Sequence, residues 1–260
     1  MATKRKRTYL RRGKIIDVEE HHDGCYGAPG LRRKKKAKPT KEQMQQVNAL
    51  NKMRRCRLKL LEYFDEGDYF LTFTYNKAER PEDMDMARKH FEKTVRRIRN
   101  EYRKRGYELR WIRNIEKGTR GGWHIHMVVN SISDTVSIIE NAWRYGGVYS
   151  VKIRNSKFYD EDFTSLASYM TKDKNTQEEN EDGTTAKPKI KESSYNTSRN
   201  MPLPEPEVDK LVRWKEEPKP KKGYYIASMH EGINPFTGFK YRRYTMIKLE
   251  EPKKRKRAKT

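Results

Sequence analysis

Leu109-Arg110-Trp111-Ile112-Arg113-Asn114-Ile115-Glu116, then Lys117-Gly118-Thr119-Arg120-Gly121-Gly122, then Trp123-His124-Ile125-His126-Met127-Val128-Val129: the reading of this stretch decides the fold. Two strand-like runs flank a glycine-rich turn, so the segment reads as a β-hairpin centred near Arg120. In a strand, residues i and i+2 share a face. His124 and His126 therefore project together, while Ile125 and Met127 face the other way. A hairpin centred there sets Glu116 opposite His124 and Asn114 opposite His126. Directly opposed residues of an antiparallel pair point to the same face, so Glu116 joins the imidazoles as a candidate third metal ligand. A slip of one residue would turn it away. Two imidazoles alone make half of a metal site, and taken in isolation they read equally well as surface residues of an amphipathic strand.

Working outward, Tyr69 to Tyr75 reads as a strand with Leu71, Phe73 and Tyr75 on one face and Thr72 and Thr74 on the other. A helix is expected from about Pro81 to Arg105. Its apolar stripe is Met84, Ala87, Phe91, Val95, Ile98 and Tyr102, and Gly106 stops it. After the hairpin come a short helix, Asp134 to Trp143, and a strand, Val148 to Arg154. Strand, helix, strand, strand, helix, strand is the ferredoxin-like βαββαβ arrangement of an α+β fold. Its antiparallel sheet is expected to carry helices on one face and leave the face of Glu116, His124 and His126 open. A further helix follows at about Asp160 to Lys174. Tyr169 sits on the flank of its apolar stripe, with Lys172 three residues on and on the same side.

The remaining chain divides by composition. Residues 1–39 carry basic blocks such as Lys4-Arg5-Lys6-Arg7 and read as a disordered arm. Residues 40–64 form an N-terminal helix capped by Thr40, with Met44, Val47, Leu50, Leu58 and Leu61 apolar. The βαββαβ unit and its following helix occupy 65–175, and 176–200 is a polar linker. Residues 201–250 form a small C-terminal α/β appendage: a short helix ending near Trp214, then strands Tyr224 to Met229 and Tyr241 to Leu249. A basic tail, 251–260, closes the chain.

Lys and Arg total 60 against 36 acidic residues, a formal charge of +24 in 260 residues. That surplus calls for a polyanionic partner, with a phosphate backbone favoured over an anionic membrane surface. No run approaches the roughly 18 apolar residues of a membrane span, and no secretory pattern is seen. A soluble, cytoplasmic protein is expected. Cys25 and Cys56 are too few for a disulfide framework, and His21-His22-Asp23-Gly24-Cys25 lacks a second ligand pair.

Glu116 with His124-Ile125-His126, preceded by Phe70-Leu71-Thr72-Phe73-Thr74-Tyr75 and followed by Ser168-Tyr169-Met170-Thr171-Lys172, resembles the HUH endonucleases. The similarity is greatest to rolling-circle replication initiators, including the gene II-type replication-associated proteins, and covers about residues 40 to 175. It continues faintly through Ser198-Arg199-Asn200-Met201-Pro202. The resemblance implies a metal-dependent single-strand DNA endonuclease and ligase. Tyr169 would be the nucleophile that takes the 5′ phosphate, Lys172 would orient the phosphate, and Glu116, His124 and His126 would be the ligands. Oxygen substrates with a carboxylate and imidazoles favour Mn²⁺ or Mg²⁺.

Thr72 and Thr74 are candidate nucleic-acid contacts set against ordinary β-propensity, and Arg120 is a candidate phosphate grip set against plain solvation. The chain has no Gly-x-x-x-x-Gly-Lys-Ser/Thr loop. The resemblance implies single-stranded origin DNA as partner, and without such a loop unwinding and extension are left to a host helicase and polymerase. A relaxase or transposase would use the same chemistry. A non-catalytic binder on a ferredoxin-like sheet would display stacking aromatics where this strand carries histidines.

Overall fold

The computed structural model describes residues 3–22, 40–173, 190–212, 214–233 and 240–249. In chain order the elements are β1 (Thr3–Leu10), β2 (Ile15–His22), α1 (Lys41–Tyr63), β3 (Tyr69–Thr74), α2 (Met84–Lys104), β4 (Trp111–Gly118), β5 (Trp123–Val129), α3 (Thr135–Ala142), β6 (Val148–Lys152), α4 (Thr164–Thr171), β7 (Ile190–Thr197), β8 (Glu207–Val212), β9 (Tyr224–Ile233) and β10 (Lys240–Lys248). This α+β chain forms two compact units, Pro39–Leu203 and Met1–Lys38 with Pro204–Thr260. Among the described residues, no helix is long and apolar enough to cross a membrane.

In the Pro39–Leu203 unit the sheet runs β6-β3-β5-β4-β7 with every pair antiparallel. The α2 helix starts where Asp83 accepts a hydrogen bond from the Met86 amide, so Pro81 and Glu82 precede it. Its stripe of Ala87, Phe91, Val95, Ile98 and Tyr102 is buried against Leu71, Phe73, Ile115, Ile125 and Met127, and α3 adds Ile138 and Ile139. Burying each large side chain contributes about 1.5–3 kcal/mol. Gly146 lets the β6 end close onto β3. A Cβ there would lie 2.2 Å from the Thr74 carbonyl oxygen, and only glycine tolerates that approach.

The opposite face, expected to be open, is covered. It carries Phe70, Ile112 and Val128 at 5% exposure or less, too much apolar surface to leave in water. The α4 helix lies over β4, and α1 packs along α4, burying Cys56, Leu58, Leu60 and Leu61. A buried ion pair from Arg57 to Asp162 ties α1 to the segment before α4. Thr40 caps α1 through a reciprocal capping box with Gln43, yet Met44, Val47 and Leu50 in its first half are exposed. The α4 helix begins at Thr164, later than expected. The Asp160 and Asp162 carboxylates accept from the Ser165 and Thr164 amides and hold a turn there instead.

Two expectations about organisation are corrected. Ile190–Thr197, read as the end of a linker, forms the edge strand β7 on β4. Its polar sequence suits an edge that keeps one side in water. Residues 3–22, read as part of a disordered arm, form β1 and β2. These pair with the C-terminal strands in a second antiparallel sheet, β8-β1-β2-β10-β9. Arg5 and Arg7 are held there by cross-strand carboxylates, Glu20 and Asp209. The appendage is therefore not separate from the N terminus, and Glu207–Val212, placed in a short helix, is the strand β8. The basic block at 32–36, the acidic run at 178–182, the turn at 234–238, Cys25 and the tail 251–260 lie outside the described residues.

Candidate active site

The hairpin pairs Glu116 with His124 and Asn114 with His126, the register expected from the turn. Gly121 takes a left-handed φ of +80° in that turn, and the Gly118 amide donates to the Gly122 carbonyl to close it. On the other side of β5, β3 sets Thr72 opposite His126 and Thr74 opposite His124. His126 thus stands between Thr72 and Asn114, and His124 between Thr74 and Glu116.

Tyr169 arrives from α4. Its hydroxyl lies 2.9 Å from His126 Nε2, and the same nitrogen is 3.1 Å from Glu116 Oε1. Thr72 Oγ1 holds the far side of the ring, 3.1 Å from Nδ1. Lys172 closes the cluster, its Nζ 2.9 Å from Glu116 Oε2 and 3.8 Å from the Tyr169 ring centroid. These side chains are screened from water: 9% of His126, 12% of Glu116 and 17% of Lys172 is exposed. At that burial, electrostatic contacts weigh more than they would on the surface.

Burial alone would raise the Glu116 carboxyl. The hydrogen bond and charge of His126, with those of Lys172, outweigh it and hold the group down at about 2. Burial, then the charge of His126, lowers the His124 imidazole. Tyr169 moves the other way, raised by burial and by the negative charge of Glu116. In the free protein the cluster therefore holds a carboxylate, a neutral His124 and a protonated phenol. A phenol so arranged stays unreactive until its proton has somewhere to go.

Two rings that the sequence reading passed over fix the phenol. Phe158, in the loop after β6, stacks on Tyr169 with centroids 3.8 Å apart. Phe70 meets Tyr169 edge-on at 5.9 Å and stacks on His126 at 5.8 Å. Phe70 was findable, since it precedes Thr72 and Thr74 on their face; a lone loop aromatic such as Phe158 leaves no pattern. Asn114 is fully buried in the same row, and neither of its side-chain polar atoms has a hydrogen-bond partner among the described residues.

Two candidates lie apart from the cluster. Thr74 Oγ1 donates to the Gly147 carbonyl at 3.2 Å and serves the β3–β6 junction. Arg120 is exposed in the hairpin turn. The Ser198–Pro202 segment anchors the start of β4: the Ser198 amide donates to the Trp111 carbonyl and Asn200 Nδ2 to that of Leu109.

Glu116, His124 and His126 supply donor types that suit a divalent cation, and Glu116 and His124 are in the protonation states that ligation needs. Among the described residues, however, no group of three or more His, Cys, Asp or Glu side chains is disposed to hold a metal ion. The His124 and His126 ring centroids are 6.4 Å apart, and Glu116 spends its oxygens on His126 and Lys172. The donor set fits; its present contacts are internal.

No curated protein and no solved structure matches the chain. Residues 68–174 do match the family model of the replication-associated protein ORF2/gene II protein. That span runs from β3 through α4 and contains Glu116, His124, His126, Tyr169 and Lys172, so the part of the chain that builds the cluster is the part similar to this replication-associated family.

Proposed function

We propose that this protein initiates rolling-circle replication by nicking single-stranded origin DNA with the Tyr169 hydroxyl, on a ferredoxin-like domain of the HUH endonuclease type. The strand order β6-β3-β5-β4, with α2 and α3 on one face, supports the ferredoxin-like reading. The family match supports a role in initiating replication, an endonuclease activity and DNA as partner. The single observation that carries the mechanism is the 2.9 Å approach of the Tyr169 hydroxyl to His126 Nε2, with Glu116 and Lys172 in the same cluster.

In this reading the Tyr169 oxygen attacks phosphorus and its proton passes to water. The bond from phosphorus to the 3′ oxygen breaks, that oxygen takes up a proton, and the 5′ phosphate stays on Tyr169. The freed 3′ hydroxyl primes synthesis. One phosphodiester replaces another, so the reverse attack reseals the strand without a nucleotide cofactor. Lys172, over the ring face, stabilises the forming phenolate and the charge on phosphorus. Phe158 and Phe70 keep the phenol on line. Mn²⁺ or Mg²⁺, held by Glu116, His124 and His126, would supply charge neutralisation at the scissile phosphate. Host helicase and polymerase would unwind and extend.

The test incubates the protein with labelled single strands from its replicon and Mn²⁺ or Mg²⁺, resolves covalent adducts on a denaturing gel, and maps the labelled peptide. Label on Tyr169 is the expected result. Label on another residue, or no adduct on any strand, overturns the proposal.

A further inference from the structure

The second sheet, in the unit formed by the chain ends, carries its own concentration of charge. Register sets Arg7 opposite Val18 and Tyr9 opposite Ile16, and Tyr244 and Met246 opposite those same β2 residues. One face therefore has an apolar floor of Ile16, Val18 and Met246 with tyrosines beside it. The segment after β8 crosses this face. The Trp214 ring packs under the Arg242 guanidinium at 4.3 Å, and the Lys221 amide meets Met246 Sδ. Between segment and sheet lies a cleft of about 300 Å³.

Arg5, Arg7, Lys215, Lys219, Lys221 and Arg242 all line this cleft, and among the described residues no acidic one does. The sheet's own carboxylates nearby are committed, and on the crossing segment Glu216 pairs with Lys240 while Glu217 is exposed. Glu20 is shared between Arg5 and Arg242, and Arg7 holds Glu207 and Asp209. Lys215, Lys219 and Lys221 are exposed and make no ion pair among the described residues. Lys221 lies 5.6 Å from the centroids of both Tyr9 and Tyr224.

We propose that this cleft binds a single strand of DNA, the lysines taking phosphates while a base rests on the Tyr9 side of the apolar floor. Cations interleaved with aromatic rings on a sheet face are what a single strand requires: a charged track for the backbone and flat apolar surface for unstacked bases. A small anion would leave the floor unused. A membrane would need its apolar residues to protrude, and here they lie at the bottom. A duplex would need an element that enters a groove, whereas this surface is concave. The assignment of DNA as the strand rests on the proposed function above; the cleft's chemistry does not.

The test is fluorescence anisotropy with labelled oligo-dT, which needs no cleavage, so it reads the same whether or not Tyr169 is the nucleophile. In the full chain, the Lys219→Gln/Lys221→Gln double variant leaves the buried sheet residues untouched. It should weaken binding roughly tenfold at moderate salt and lower the log–log salt slope by about 1.4, two phosphate contacts of a single strand. Strands carrying 5-iodouracil should photo-crosslink to Tyr9. An unchanged affinity and slope would overturn the proposal. So would tighter binding of oligo-rU than of oligo-dT, or a loss confined to phosphatidylserine vesicles. Absence of any adduct from the wild-type protein would sink the nuclease reading and leave this measurement standing.

Discussion

Glu116 in the first sheet and Glu20 in the second are both buried carboxylates, and they keep different company. Glu116 stands among His126, Lys172 and Tyr169, groups that can give or take a proton. Glu20, more deeply buried, stands between Arg5 and Arg242, the latter at 2.6 Å. A guanidinium stays charged at any pH a protein survives, so neither arginine exchanges a proton with Glu20, whose remaining contact is a 3.4 Å hydrogen bond from the Tyr244 hydroxyl. Both sheets solve the problem of a buried charge by pairing it. Only the first does so with partners that can leave, which is what a substrate phosphate would require.

The largest expected effect breaks the comparison at its functional end. Tyr169→Phe keeps the ring that stacks on Phe158 and removes only the hydroxyl at His126. Covalent adduct should vanish while oligonucleotide binding persists; adduct at wild-type yield would move the nucleophile elsewhere. Next, Lys172→Ala removes the ammonium that lies near both Glu116 and the Tyr169 ring. Cleavage should fall about 10²- to 10³-fold, the usual loss when one electrostatic stabiliser is deleted. Single-turnover rates at saturating DNA would measure it, and a change in affinity alone would reassign Lys172 to binding.

The second sheet answers a different substitution. Arg242→Met leaves Glu20 buried with half its partners, at a cost of about 3–5 kcal/mol. Hydrogen exchange should then quicken across β2 and β10 and stay unchanged in β4 and β5. Adding Glu20→Gln should restore much of the loss, because the orphaned charge and not the missing guanidinium carries most of the penalty. Equal destabilisation in single and double variants would mean that packing around Arg242 and Trp214 matters more than charge.

Legibility in the sequence followed the same division. The hairpin was readable because its glycines bracket the turn and its alternation leaves one register that buries Ile125 and Met127; Glu116 and His124 come together from that alone. Tyr169 was readable as lying on the flank of an α4 stripe, but not that its hydroxyl would reach His126, since helix placement depends on α1. The β1 strand was unreadable for a physical reason. Thr3-Lys4-Arg5-Lys6-Arg7 has the composition of a solvated tail, and the carboxylates that make it a strand, Glu20 and Asp209, come from β2 and from about 200 residues away. β7 hid likewise, as an edge strand whose polar side chains carry no period.

The smallest effect sharpens the comparison through pH. The Glu116 carboxyl, ordinarily near 4.5, is held at about 2 in the fold. A depressed folded value means that ionised Glu116 contributes stability above 4.5, and that the contribution fades as pH falls toward 2. Glu116→Gln mimics the protonated group, so the stability gap between wild type and variant should be full at pH 6, narrow from 4.5 downward and nearly close at pH 2. Urea unfolding followed by tryptophan fluorescence reads this in a Trp214→Phe background, where the signal comes from Trp111, Trp123 and Trp143 around the first sheet. A gap of constant size from pH 6 to pH 2 would mean that Glu116 owes its place to shape and not to the charges of His126 and Lys172. The cluster would then lose the feature that sets it apart from Glu20 and its two arginines.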